Sequence, residues 1–340
     1  MYTPSLPQEI LIRIFSFACT DTGTTGYSLS LVSKAFYHAL RRTGVDLQSA
    51  SVCGVTQMLK FAAMLERRKA LREPRHVKNL YISDRELPKQ SSSRSRGGGD
   101  FEICKTALEH SFSFLVFILN SISTSHLQRL TIDFEVVEAL PSLVPILLPA
   151  LEELTVSGPI DSSSFRNSHR APSLKRLHIA SHDSLPTDFW SAISYVSPNI
   201  VDLRISSIGR EDTHFLHSLK QLKPYRHSAG DWSPLDQEFE PPRGTPKSLE
   251  QVIIGFAPCY RCSARGSSVR WYRSVDAQLR AISREVGLHP RTGKSRVITL
   301  DAPLLDMDYQ KTGVDTDRRR WLWNQWSDGL NGKKHFWDDQ

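Results

Sequence analysis

An apolar residue, two variable positions, Leu, one variable position and then Ile or Val make a phrase that recurs along this chain. The copies are Val77-Leu80-Ile82, Leu127-Leu130-Ile132, Leu151-Leu154-Val156, Leu174-Leu177-Ile179, Ile200-Leu203-Ile205, Leu249-Val252-Ile254 and a weaker Val297-Leu300-Ala302. The last two positions of each copy are two residues apart, the spacing of a strand that turns one face inward. Copies beginning at 127, 151, 174 and 200 follow one another after 24, 23 and 26 residues, and the wider gaps are close to twice that period. Pro149, Pro172 and Pro198 each stand two residues ahead of a copy, where they end the preceding segment and fix the register of the strand. Helical periodicity fills the intervals, most clearly over 188–196 and 101–122. One strand-turn-helix unit cannot bury its apolar side alone, but stacked units share a core and align their strands. The pattern predicts an α/β fold with a curved parallel sheet.

Strand parity sends the alternate residues to the other face. If Leu177 and Ile179 point inward, Arg176, His178 and Ala180 point away, and the same count exposes Asn79, Tyr81 and Ser83, then Arg129, Thr131 and Asp133, then Glu153, Thr155 and Ser157, then Asp202, Arg204 and Ser206. Side by side these would form a concave polar surface, and Arg129, Thr131, Glu153, Arg176, His178, Asp202 and Arg204 are its candidate target-binding residues. The repeat phrase resembles leucine-rich repeats. Members of that family place Asn or Cys shortly after the strand, where this chain has Glu135, Pro159, His182 and Ile208.

The first 45 residues carry a different pattern. Pro7 suits the first turn of a helix and Glu9 complements its positive end, after which Ile10, Leu11, Ile14, Phe15 and Ala18 recur at helical spacing. The stretch 21–26 breaks this helix, and Leu29, Val32, Phe36, Ala39 and Leu40 form a second periodic set that ends on Arg41 and Arg42 before Gly44. Two or three small helices fit here, too few to bury a large core without a partner.

This order of residues resembles the F-box, which opens on Leu-Pro and an acidic residue before an Ile/Leu-rich helix and closes on a Leu-Val-Ser-Lys-x-aromatic segment, here Leu31, Val32, Ser33, Lys34 and Phe36. The resemblance implies docking on a Skp-type adaptor carried by a cullin scaffold, through Leu6, Pro7, Ile10, Ile14, Leu31, Val32 and Phe36. Joined to degenerate leucine-rich repeats it implies a substrate-recognition subunit of an SCF-type ubiquitin ligase, similar to those of the large fungal families. Such a subunit makes and breaks no bond itself, and its protein target is not named by the sequence. A repeat-based interaction scaffold outside any ligase is the alternative.

At 340 residues with 39% hydrophobic and 23% charged, the chain is long enough for one large or two modest globular domains. Residues 1–45 are expected to be the adaptor-binding domain, 46–74 a linker helix, 75–305 the repeat domain and 306–340 a C-terminal cap. Within the repeats, 88–100 reads as a disordered insertion because it is Ser, Arg and Gly without apolar content. The aromatics of 321–326 with Phe336 and Trp337 suit a cover for the last unit, with a target-anchoring patch as the sharper reading.

Apolar runs are too short for a membrane span and the first residues lack a signal-peptide pattern, so a cytoplasmic or nuclear protein is expected. Five cysteines, Cys19, Cys53, Cys104, Cys259 and Cys262, do not make a disulfide framework in a chain of this size and are expected to be reduced. The net charge of +7 comes from separate basic clusters without interleaved aromatics or a nucleic-acid signature, which speaks against nucleic-acid binding. Cys259 and Cys262 have the spacing of half a zinc site, but no second pair follows. His178 and His182 are four apart, but His178 falls inside a strand phrase rather than on a helix face, so a surface histidine is expected there and no metal. The sequence carries no nucleophile elbow, phosphate-cradling Gly loop or zinc-protease helix, and no catalytic residue or cofactor is assigned.

Overall fold

A computed structural model describes residues 6–21, 23–85, 110–134, 140–180, 185–208, 213–219, 245–256, 277, 280–281, 297–299 and 314–330. The expected insertion at 88–100, Cys104, Cys259, Cys262, His182, and Phe336 with Trp337 lie outside the described residues. The chain divides into two compact units. The first holds Met1–Glu138, Pro145–Leu151 and Asp308–Gln340, and the second Ala139–Val144 with Glu152–Met307.

In the first unit, α1 (Gln8–Ala18), α2 (Thr24–Ser30) and α3 (Lys34–Thr43) lead through a 3-10 turn, Val45–Leu47, into β1 (Ser49–Cys53). Helix α4 (Val55–Ala70), β2 (Asn79–Ser83), α5 (Ser111–Ser121) and β3 (Arg129–Asp133) follow. The three strands are parallel, with Ala50 opposite Leu80, Leu80 opposite Leu130, Val52 opposite Ile82 and Ile82 opposite Ile132. The repeat phrase is therefore the structural register. The segment 46–74, expected to be a linker helix, supplies the first strand as well as α4. It escapes the sequence pattern because Leu47-Ala50-Val52 has Ala where the other copies carry Leu or Val.

Helix α4 packs on this sheet through Met58, Ala62 and Leu65, one stripe at helical spacing, and lies against α5, which buries Leu115, Ile118 and Leu119. Arg68, one turn further along α4, is also buried. It ion-pairs with Asp46 Oδ2, donates to the Pro74 carbonyl at 3.2 Å and lies 3.9 Å from Glu73 Oε2, which in turn meets Arg41 Nη1 at 3.1 Å. This network ties the end of α3 and the 3-10 turn to α4.

The second unit contains β4 (Glu153–Ser157), α6 (Ser162–Arg166), β5 (Arg176–Ile179), α7 (Phe189–Val196), β6 (Asp202–Ile208), α8 (Thr213–Leu219), β7 (Gln251–Phe256) and β8 (Val297–Thr299). Its five strands are parallel in chain order, and Leu154, Leu177, Leu203 and Val252 stand in one row, as do Val156, Ile179, Ile205 and Ile254. Every one of these side chains is buried. On the helical side Phe165, Phe189 and Phe215 meet edge to face at 5.6 and 5.1 Å, and the indole N–H of Trp190 donates to Ser218 Oγ at 2.8 Å. The final copy is displaced from its sequence reading. Val297 lies opposite Val252 and Thr299 opposite Ile254, so Val297 holds the second position of the phrase, not the first.

The prolines act through turns. In Leu148-Pro149-Ala150-Leu151, Ala171-Pro172-Ser173-Leu174 and Ser197-Pro198-Asn199-Ile200, the fourth N–H donates to the first carbonyl at 3.3, 3.1 and 3.2 Å. Each proline holds the second position, where its fixed φ is already that of the turn. Among the described residues no helix is long and apolar enough to cross a membrane.

Candidate functional site

Helices α1 to α3 enclose a small core of Phe15, Cys19, Ala39 and Leu40, with Leu11, Leu29, Phe36 and Val45 packed on it. The rings of Phe15 and Phe36 meet edge to face at 4.9 Å. Asp21 closes the first connection by accepting from Gly23 N, Thr25 N and Thr25 Oγ1 at 3.1, 3.0 and 2.7 Å. These bonds hold the entry to α2, which starts at Thr24 inside the stretch expected to be a break. Ser33 caps α3 by accepting from Phe36 N, and Gly44, at φ 72°, ends it in the left-handed conformation that residues with a side chain rarely adopt. Pro7 lies one position before the helix and its carbonyl accepts from Ile10 N and Leu11 N, each at 3.1 Å.

The core engages only one stripe of α1. A second stripe, Ile10, Ile14 and Phe17, lies about 100° round the cylinder and faces solvent, as does Leu6 just ahead of the helix, with Leu6 59%, Ile10 46% and Ile14 47% exposed. In the turn before α3, Leu31 and Val32 are exposed at 69% and 64%. Of the seven adaptor-docking candidates, Leu6, Pro7, Ile10, Ile14, Leu31 and Val32 are thus on the surface, whereas Phe36 is half-buried behind them against Phe15. Phe17, Tyr27 and Tyr37 add exposed apolar surface that the sequence reading passed over. Phe17 was recoverable, since it follows Ile14 at i+3.

The strand face differs from its expectation. Parity sends the polar residues to one side as anticipated, but that side is not open. Thr131, Glu153, His178 and Arg204 are buried, as are Asn79, Tyr81, Ser83, Asp133, Thr155 and Ser157, while Arg129, Arg176 and Asp202 are half-buried. The register sets Arg176 opposite Glu153 and Asp202, and its guanidinium lies 3.6 Å from the first carboxylate and 3.7 Å from the second. His178 Nε2 is 3.0 Å from Ser206 Oγ, so this histidine is a buried one, not the surface group expected. Burial, and then the charge of Arg204 opposite it, hold the imidazole pKa well below the ordinary histidine value. Burial also pushes Arg204 down to about 10, which still leaves it cationic at neutral pH.

In the first unit the cover over this face is α9 (Val314–Leu330). Trp326 forms a cluster with Cys53 and Tyr81, against which Trp323 and Leu330 pack, and the Tyr81 ring lies 5.2 Å from Trp323 and 5.6 Å from Trp326. Arg129 Nη1 donates to the Gly329 carbonyl at 3.3 Å. The aromatic residues of α9 therefore pack on the first strands, where Tyr81 offers them a ring.

No described group has the geometry of a metal centre: no three His, Cys, Asp or Glu side chains gather to hold an ion among the described residues. Burial raises both Cys19 and Cys53 to about 11, so each remains a protonated thiol at neutral pH. No protein-family model matches this chain, and no curated protein matches it either.

Proposed function

We propose that this chain is a substrate-recognition subunit of an SCF-type ubiquitin ligase, with α1 to α3 as an F-box that docks on a Skp-type adaptor. One observation carries the reading: α1 is apolar on two adjacent stripes, and its own core uses only the one containing Leu11 and Phe15. An exposed apolar stripe on a small helical unit marks an interaction surface, and burying each Leu or Ile there is worth about 1.5–3 kcal/mol. The stripe Leu6, Ile10 and Ile14, with Leu31 and Val32, matches the positions at which the F-box pattern carries its apolar residues.

The parallel units, with the repeat phrase in register, support degenerate leucine-rich repeats as the target-binding part. Arg176, the most exposed charged side chain of the Glu153–Arg176–Asp202 row, is its first candidate contact. Ubiquitin transfer then rests on proximity, since a held target presents its lysines to a conjugating enzyme at raised effective concentration. The experiment is co-purification of the full chain with a Skp-type adaptor and a cullin. Recovery of the ternary complex supports the ligase reading, and recovery of neither leaves the scaffold reading in its place.

A further inference from the structure

Within the first unit, the 3-10 turn and the segments entering β2 and β3 border a cleft of about 370 Å³. It is built by the repeat itself. Because Asn79 stands opposite Arg129, the residues three before them, His76 and His126, occupy equivalent places, and so do Gln48, Lys78 and Gln128 one before their strands. The two imidazoles stack with centroids 4.1 Å apart and an interplanar angle of 21°. Ser123 Oγ and Ser125 Oγ each lie 3.1 Å from His126 Nδ1, and a hydroxyl donating there leaves the proton of a neutral ring on Nε2. Ser16 Oγ donates to Gln48 Oε1 at 3.2 Å, which commits the acceptor end of that amide and leaves the NH2 end as a donor.

What the cleft lacks decides its preference. Among the described residues no Asp or Glu lines it, and Lys78, exposed and without an ion-pair partner there, supplies a full positive charge. Its lining offers an ammonium, two imidazoles, hydroxyls and amides, a donor-rich set around a space that fits a small ligand. We propose that this cleft binds a phosphate-type oxyanion, with Lys78 as the charge partner and the N–H groups of His76 and His126 as donors. The ligand is either the free ion or the phosphate of a modified side chain. This inference is independent of the adaptor docking proposed above.

The His pair adds a pH dependence. Burial and the neighbouring charge of His126 lower the His76 pKa, and no carboxylate is among the causes. Among the described residues the titratable groups lining the cleft are Lys78 and the two imidazoles. A bound anion favours imidazolium, so affinity for an anion of fixed charge rises as pH falls through the histidine range.

Calorimetric titration of the full chain tests the proposal with three probes: sulfate, whose charge is constant over the range, inorganic phosphate, and a short phosphoserine peptide. Sulfate should bind about tenfold more tightly at about pH 6 than at about pH 8. Lys78→Ala should weaken every bound probe at least about tenfold, as expected for loss of one charge-assisted contact. Lys78 is on the surface, so this variant should melt with the parent in the absence of anion. The double variant His76→Gln with His126→Gln should retain phosphate affinity in part, through Lys78, but lose the pH dependence. Tighter binding of the peptide than of inorganic phosphate assigns the ligand to a modified side chain, and the reverse order assigns it to the free ion. Absence of binding by all three probes, or binding that both variants leave unchanged, overturns the proposal.

Discussion

The hydroxyl of Tyr81 donates to Asp133 Oδ2 at 3.1 Å while Trp326 covers its ring. This residue of β2 thus ties a neighbouring strand and the C-terminal helix to the same face. Cys53 lies in the same cluster beneath Trp326, and its thiol pKa is raised to about 11 mainly by that burial. Trp326→Ala should cost about 3–5 kcal/mol, the usual loss for a buried aromatic, and should bring the Cys53 thiol back toward its ordinary range. Mass-spectrometric mapping of iodoacetamide labelling reads this directly. Cys53 should be modified faster in the variant at every pH below about 11, whereas an unchanged labelling rate would mean that α9 does not protect it.

Arg68 should be among the most sensitive positions in the first unit. Its guanidinium is buried between Asp46, Glu73 and the Pro74 carbonyl. Arg68→Ala strands two carboxylates around a void, and breaking one side of such a buried pair costs about 3–5 kcal/mol. Urea unfolding should show a large loss for Arg68→Ala and a much smaller one for Lys69→Ala, whose ammonium is exposed and pairs with Glu66 only at 3.7 Å.

Buried His178 makes stability depend on pH. Its folded pKa lies below the ordinary value of 6.5, so the unfolded chain takes up a proton that the folded chain refuses. Its contribution is complete above that value and is lost as pH falls beneath it, with a slope of up to about 1.4 kcal/mol per pH unit for the one proton. His76 acts in the same direction, so the comparison must be with His178→Asn. That variant should be less stable at neutral pH and should show a shallower decline between about pH 6.5 and 5. Parallel curves for variant and parent would contradict the assignment.

Much of this architecture was legible because one face of most of the strands obeys one rule. Leu80, Leu130, Leu177 and Leu203 follow the phrase, and their register could be drawn from spacing alone. Ala50 hid the first strand because burial beside Leu80 accepts a smaller side chain, while Val297 was placed one position out because Leu300 and Ala302 mimic the pattern three residues later. The polar face was harder. Alternation reports which way Arg176, His178 and Arg204 point, but not what covers them, and α9 reaches Tyr81 from more than two hundred residues away. On α1 the positions of Leu6, Ile10 and Ile14 were plain from the sequence. Their exposure was not, because Leu11 and Phe15 on the adjacent stripe are just as apolar and are buried instead.

The central claim rests on that exposed stripe, and a binding titration of purified full-length chain against a Skp-type adaptor tests it most directly. Leu6 and Ile14 are about half exposed, so Leu6→Ala with Ile14→Ala should leave the melting temperature within about 2 °C of the parent. If both side chains are buried in the complex, the double variant should bind at least about 100-fold more weakly, as expected for two interfacial anchors. A folded double variant that binds the adaptor with parental affinity, or a parent chain that does not bind it at all, would contradict the account.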